Sequence, residues 1–324
     1  MNRLWTYVIF IFFVGSLNIS GQDLHLVDSI IDTYPKSFLS PERLSIRICS
    51  DFTDKTQRAR AIYAWIGRNI EYDVKALSKH KKKKSFSYKL ISEKQRKEAK
   101  LQTKVASQTL RRKKAVCYGY SVLYKKLCDL CEIPCLVISG GSKTKYGQIG
   151  KPSRSSHAWN SVKINDSWNL VDVTWAAGSV NKKTKKFIPD YSDTYFFLSP
   201  EKFFLKHFPK DTSWLLTNKN KDDFVKLPLY YSNYLDSDIS IIYPLEGVIS
   251  ISKKDTINFK ILNLPISYSI SYKFTSEKHG YLIEPKNQDN SYCEFSIINN
   301  PSRDGYLTIF IENKSFVSYK IKIL

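Results

Sequence analysis

The run Leu170-Val171-Asp172-Val173-Thr174-Trp175 puts one carboxylate inside a stretch otherwise built for burial. A charge taken out of water without a partner is heavily penalised, so the fold must bring a donor to Asp172. The preceding chain shows where that donor comes from. His157 to Ile164 and Ser167 to Trp175 read as two strands, with Asn165-Asp166 as the turn between them. A turn centred on that pair sets His157 opposite Thr174 and Asp172 opposite Trp159. His157 and Asp172 are then diagonal neighbours on one face, within side-chain reach. A register slipped by one residue would put them on opposite faces.

A third residue belongs with these two. Tyr120, Leu123, Tyr124, Leu127, Cys128 and Cys131 recur at helical spacing and predict a buried helix stripe. Pro134 ends that segment, and Cys135 to Ser139 reads as a short apolar strand stopped by Gly140-Gly141. Cys117 stands where the basic stretch before it gives way to this helix. Unpaired N–H groups and the helix dipole favour an anion at that end. The thiolate is the nucleophilic form of cysteine. In this arrangement His157 acts on Cys117 as base and then as acid, and Asp172 fixes the imidazole's tautomer and orientation. The N–H of Cys117 is one expected oxyanion donor.

These residues lie in blocks that resemble a family. Val116-Cys117-Tyr118-Gly119-Tyr120-Ser121, His157-Ala158-Trp159-Asn160 and Leu170 to Trp175 look like the three catalytic blocks of the transglutaminase-like superfamily. Ala59 to Ile66, Ile70 to Asp73, and Tyr195 to Glu201 followed by His207-Phe208-Pro209 and Trp214 also match. The last block points to the kyphoscoliosis-peptidase and cytokinesis-protein branch. The likeness covers roughly residues 40–228 and departs at Ala115, where many relatives carry Gly. It implies an α+β papain-like core, in which a nucleophile helix packs on an antiparallel sheet. It also implies Cys117 as nucleophile, His157 as base, Asp172 as orienting acid, and acyl transfer at an amide through a thioester. The acceptor, water or an amine, stays open. The His-Phe-Pro step reads as a structural lock of the core. Trp159, Trp168 and Trp175 read as packing around the site.

The rest of the chain sets the domain plan. Its 324 residues, 42% of them hydrophobic, allow two domains with real cores. Arg3 followed by the apolar run from Leu4 to Leu17, then Ser20-Gly21, has the form of a secretory signal over residues 1–21. It predicts export to a periplasm, cell surface or medium, with no membrane span after signal removal. Residues 22–228 form the predicted transglutaminase-like domain. Beyond Tyr230 the chain alternates apolar and polar residues between turns, as in Thr256 to Ile261 and Tyr319 to Ile323. Residues 229–324 therefore read as an immunoglobulin-like β-sandwich.

Much of the net charge of +21 is local. Between Lys79 and Lys114 fifteen Lys or Arg face two acids, Glu93 and Glu98, for a local net of +13. This insertion reads as a solvated, partly helical or irregular segment, or as a contact for an anionic surface. Nucleic-acid-binding motifs are absent from it. The spacing Cys128-x2-Cys131-x3-Cys135 lies on an apolar helix face without a second cluster, so it reads as buried thiols or one disulfide and not as a zinc site. No acidic cluster for calcium and no organic cofactor is implied. The expected partner is a protein or peptide substrate. The rival expectation is a non-enzymatic cell-surface interaction module on the same fold.

Overall fold

The protein is described from a computed structural model covering residues 21–78, 90–181, 183–289 and 291–324. Residues 1–20, where the export signal is expected, and residues 79–89, the first part of the basic insertion, lie outside the described residues.

Three helices open the described chain: α1 (Gly21–Asp32), α2 (Pro41–Asp51) and α3 (Lys55–Asn69). Ser40 caps α2 by accepting from the N–H of Arg43, with Pro41 in the first turn. Asp54 caps α3 by accepting from the N–H groups of Thr56 and Gln57. Every residue of α3 from Ala59 to Gly67 is buried, including Arg60. The Arg60 guanidinium donates two bonds of 2.8 Å to Asp28 of α1, so this buried charge has a buried partner.

The chain continues through β1 (Glu71–Tyr72) and α4 (Val74–Ser78) to α5 (Ile91–Arg112). The second part of the basic insertion is thus one long helix, anchored by buried Ala106, Thr109 and Leu110. β2 (Lys114–Ala115) runs parallel to β1 and leads into α6 (Cys117–Leu130). Then follow β3 (Cys135–Ser142), β4 (His157–Ile164), β5 (Ser167–Val171), α7 (Val173–Ala176), β6 (Gly178–Val180), β7 (Phe187–Pro189), α8 (Pro200–Phe204) and β8 (His207–Pro209). α6 lies on an antiparallel sheet of order β5–β4–β3–β8. This is the expected helix-on-sheet core.

The β4–β5 hairpin has the predicted register, from Ile164 opposite Ser167 to Asn160 opposite Val171. Asn165 and Asp166 both take positive φ, 46° and 63°, the conformation that a two-residue hairpin turn needs. The expected strand to Trp175 nevertheless ends at Val171, so the pairings of His157 with Thr174 and Asp172 with Trp159 do not form. Asp172 leaves the ladder because its own carboxylate caps α7 through the N–H groups of Thr174 and Trp175. β3, in turn, does not stop at Gly140-Gly141 but runs through both. A Cβ on Gly140 would lie 2.3 Å from the Phe208 carbonyl oxygen, so glycine here lets β8 pack against β3. The polar stretch Asn218–Asp223 holds a helix start. Asn220 and Asp223 form a capping box on α9 (Lys221–Lys226).

Beyond it lie β9 (Leu229–Tyr230), β10 (Ser240–Tyr243), β11 (Val248–Ile251), β12 (Thr256–Leu262), β13 (Ile270–Phe274), β14 (Tyr281–Leu282), β15 (Asn287–Gln288), β16 (Tyr292–Ile298), β17 (Gly305–Ile311) and β18 (Lys314–Ile323). They form two sheets, β10–β12–β16–β15 and β11–β18–β17–β13–β14, with β9 added to β18. Alternate residues such as Ile257, Phe259, Ile261, Phe295, Ile297 and Ile309 are buried between them. This is an immunoglobulin-like sandwich. One core surrounds α3 and α6, and a second fills the sandwich and takes in Tyr195 from the preceding part of the chain. Among the described residues no helix is long and apolar enough to cross a membrane.

Candidate active site

Cys117 is the first residue of α6, and Val116 before it offers no side-chain cap. The Gly119 N–H turns back to the Val116 carbonyl at 2.8 Å, and no capping side chain takes the N–H groups of Cys117 and Tyr118. His157 opens β4, on which α6 packs. Asn160, three residues on, fastens the two together. Its Nδ2 donates to the carbonyl of Ser121 on α6 at 3.0 Å and to that of Leu136 on β3 at 3.1 Å. The Asn of the His-Ala-Trp-Asn block thus sets the height of the helix above the sheet.

Asp172 is fully buried, and both its carboxylate oxygens are engaged. Oδ1 accepts from the N–H groups of Thr174 at 2.9 Å and Trp175 at 3.3 Å. Oδ2 faces Nε2 of His157 at 2.6 Å and Nε2 of His207 at 3.0 Å. The Asp172 N–H donates to the Tyr195 carbonyl at 3.1 Å. This satisfies the demand for donors that the sequence made.

The charges follow from these contacts. Burial would raise the Asp172 carboxyl, but His157 and His207 outweigh it and hold Asp172 well below the usual carboxylate range. Burial likewise opposes the His157 imidazolium. The Asp172 charge and hydrogen bond, with a smaller contribution from Cys117, reverse that and hold His157 at about 10. His207 goes the other way. Burial pushes it down to about 4 against the pull of Asp172, so at neutral pH it is an uncharged ring donating to the carboxylate. Aromatic rings close the site. Trp175 stacks on His157 with centroids 5.0 Å apart, and Phe203 lies on His207 at 3.9 Å.

Of the residues singled out from sequence, His157 and Asp172 share a hydrogen bond, and Cys117 lies within electrostatic reach of His157. His207, expected as part of a structural lock of the core, is buried, and it is also the second donor on Asp172, a contact the sequence reading did not name. The available signal was a carboxylate with more lone pairs than one histidine can fill. Among the described residues, His157, Asp172 and His207 are the group that could hold a metal ion, with donor atoms within 4.8 Å of one another. Those same atoms make the hydrogen bonds just described.

Residues 42–173 match the sequence profile of the Transglutaminase-like superfamily. The chain carries a transglutaminase-like domain. Kyphoscoliosis peptidase of Mus musculus and that of Homo sapiens are each 35% identical over 162 residues, 49% of this chain and 22% of theirs. The Lim and transglutaminase domain protein ltd-1 of Caenorhabditis elegans is 29% identical over 171 residues, 48% of this chain and 24% of that protein. These relatives place the domain in the kyphoscoliosis-peptidase branch of the superfamily. The chain spans about a quarter or less of the length of the curated relatives it matches. A solved structure described as a TGase is similar at 18% identity, covering 56% of this chain and 39% of that one, with a TM-score of 0.29. The transglutaminase-like match ends at position 173, so His207 and Tyr195 lie beyond it although both bond to Asp172.

Proposed function

We propose that this chain is an exported cysteine enzyme that transfers or hydrolyses an acyl group at an amide. Cys117 is the nucleophile, His157 the base and Asp172 the acid that orients it. The observation that carries this reading is the 2.6 Å bond between His157 Nε2 and a fully buried Asp172, beside a cysteine that opens a helix. With Nε2 held by Asp172, Nδ1 of His157 is the nitrogen left for the thiol. With its proton already carried by the His157 imidazolium, Cys117 Sγ attacks the amide carbon as the thiolate. The N–H of Cys117 is a donor for the oxyanion. Collapse breaks the C–N bond, the amine leaves with the proton from His157, and a thioester remains. Water or an amine then attacks that thioester, with His157 again as base.

The proposed substrate is a protein or peptide segment carrying acidic side chains. Two adjoining clefts of about 270 and 430 Å³ support this choice. Lys75, Lys114, Lys185 and Lys186 line the first around Tyr72 and Phe187, against a single acid, Glu71, which pairs with Lys114 at 3.1 Å. Arg112 and Lys113, from the end of the basic insertion, line the second. Tyr72 pairs with Ala115, two residues before Cys117, so this cationic wall adjoins the start of α6.

Alkylation with iodoacetamide, mapped by mass spectrometry, tests the nucleophile. Cys117 is expected to label fastest of the six cysteines, and His157→Ala to slow it. A peptide library screened with and without an added amine then separates hydrolysis from transamidation. Labelling of Cys117 no faster than Cys49 or Cys293 would leave a non-enzymatic interaction module as the better reading.

A further inference from the structure

Cys49 and Cys131 stand outside the site and are 82 positions apart in sequence, yet their sulfur atoms lie 2.7 Å apart. Unbonded carbon atoms rest at about 3.5–4.0 Å, and sulfur is larger than carbon. A bonded pair sits at about 2.0 Å. Both are free thiols in this structure, in direct contact and at a separation between these two limits. Cys49 lies in the last turn of α2 and is half-buried. Cys131 caps the C-terminal end of α6 and is buried, and α2 packs on α6.

We propose that Cys49 and Cys131 form a disulfide that ties α2 to the far end of the helix opened by Cys117. The reaction needs a disulfide donor, such as glutathione disulfide. One thiolate attacks the donor and releases one glutathione. The second thiolate then attacks the mixed disulfide, forms the Sγ–Sγ bond and releases the other. The protein loses two electrons and two protons, and the donor takes them up.

Two features favour persistence of the bond. Burial, with Cys49 beside it, pushes the Cys131 thiol well above the ordinary range, and a thiolate that is costly to form is a poor leaving group in reduction. The closed loop is also long, which favours a large constraint on the unfolded chain. The fourteen residues of α6 span about 21 Å, so the bond leaves Cys117 untouched at the opposite end. The inference is independent of what Cys117 does.

The test incubates the full chain with glutathione disulfide, denatures it in the presence of iodoacetamide and maps a non-reducing digest. The expected result is one linked peptide pair joining Cys49 to Cys131, with Cys117 alkylated. Oxidation should also raise Tm by roughly 10 °C. Cys49→Ser, at the half-buried position and so the safer variant, should abolish that rise. Alkylation of both cysteines after oxidation, or linkage of either to Cys128 or Cys135, would overturn the pairing. A linked pair without a change in Tm would overturn its role as a staple.

Discussion

Asp172 is where most of the site's electrostatics converge. Its carboxylate holds His157 as an imidazolium against burial, so replacing it with an uncharged isostere leaves burial unopposed. Asp172→Asn should therefore lower the alkaline limb of the activity profile, which His157 sets at about 10. Turnover should fall on the order of 10⁴-fold, as the wrong tautomer is favoured. NMR titration of the His157 ring checks the cause directly, and an unmoved titration would remove Asp172 from this role. Stability responds with opposite signs at the two histidines. His157 is raised from an ordinary value of about 6.5, so its contribution is complete below that pH and is lost as pH rises through about 10. His207 is depressed to about 4, so the folded state pays increasingly for its neutral ring as pH falls from about 6.5 to about 4. His207→Gln, which can still donate to Asp172, should flatten the acid limb of stability in that window, as read from denaturant midpoints against pH.

At the scale of elements, β8 matters because it carries His207 and is held by a sheet edge made of glycine. On Gly140 an added Cβ would meet the Phe208 carbonyl oxygen at 2.3 Å and the Trp159 ring at 2.4 Å. Neither is the loose end of a flexible side chain. Gly140→Ala should push β8 off β3 and cost about 1–3 kcal/mol, the usual range for overpacking. The loss should be accompanied by slower Cys117 alkylation, because His207 and hence Asp172 would shift. Equal stability and an unchanged labelling rate would show that β8 does not position the acid. The hairpin of β4 and β5 behaves differently. Its turn chemistry, Asn165-Asp166 at positive φ, sets its register locally, and the structure has the register expected of it.

For the whole molecule, the two cores meet at Tyr195. Its carbonyl accepts the Asp172 N–H, its ring packs in the core of the sandwich, and its hydroxyl lies 3.2 Å from Ser232 Oγ. A buried lysine stitches the same seam, with Lys206 Nζ donating to the carbonyl of Tyr230 at 3.2 Å. Just before it Lys143 Nζ holds the end of α9, donating to the carbonyls of Phe224 and Leu227 at 2.7 and 2.6 Å. The sandwich therefore braces the backbone of the acid and is not merely appended to it. Tyr195→Ala should cost about 3–5 kcal/mol, as for other buried aromatic truncations, and should slow Cys117 alkylation. Tyr195→Phe, which keeps the ring and the carbonyl, should cost only about 1 kcal/mol and leave the labelling rate alone. Chemical denaturation together with alkylation kinetics separates these outcomes.

The sequence by itself determined what is local or periodic. It marked the helix that begins at Cys117, the turn that registers β4 with β5, the demand of a buried Asp172 for donors, and the alternating strands of the sandwich. β16 carries the same signal, since Cys293, Phe295 and Ile297 alternate inward. Only the tertiary structure decided that His207 supplies the second donor to Asp172 from 35 positions away, and that Cys49 reaches Cys131. The reason is physical. Caps, turns and amphipathic faces depend on residues within a few positions of one another. Contacts between distant segments depend on sheet order and packing, which no short window of sequence contains.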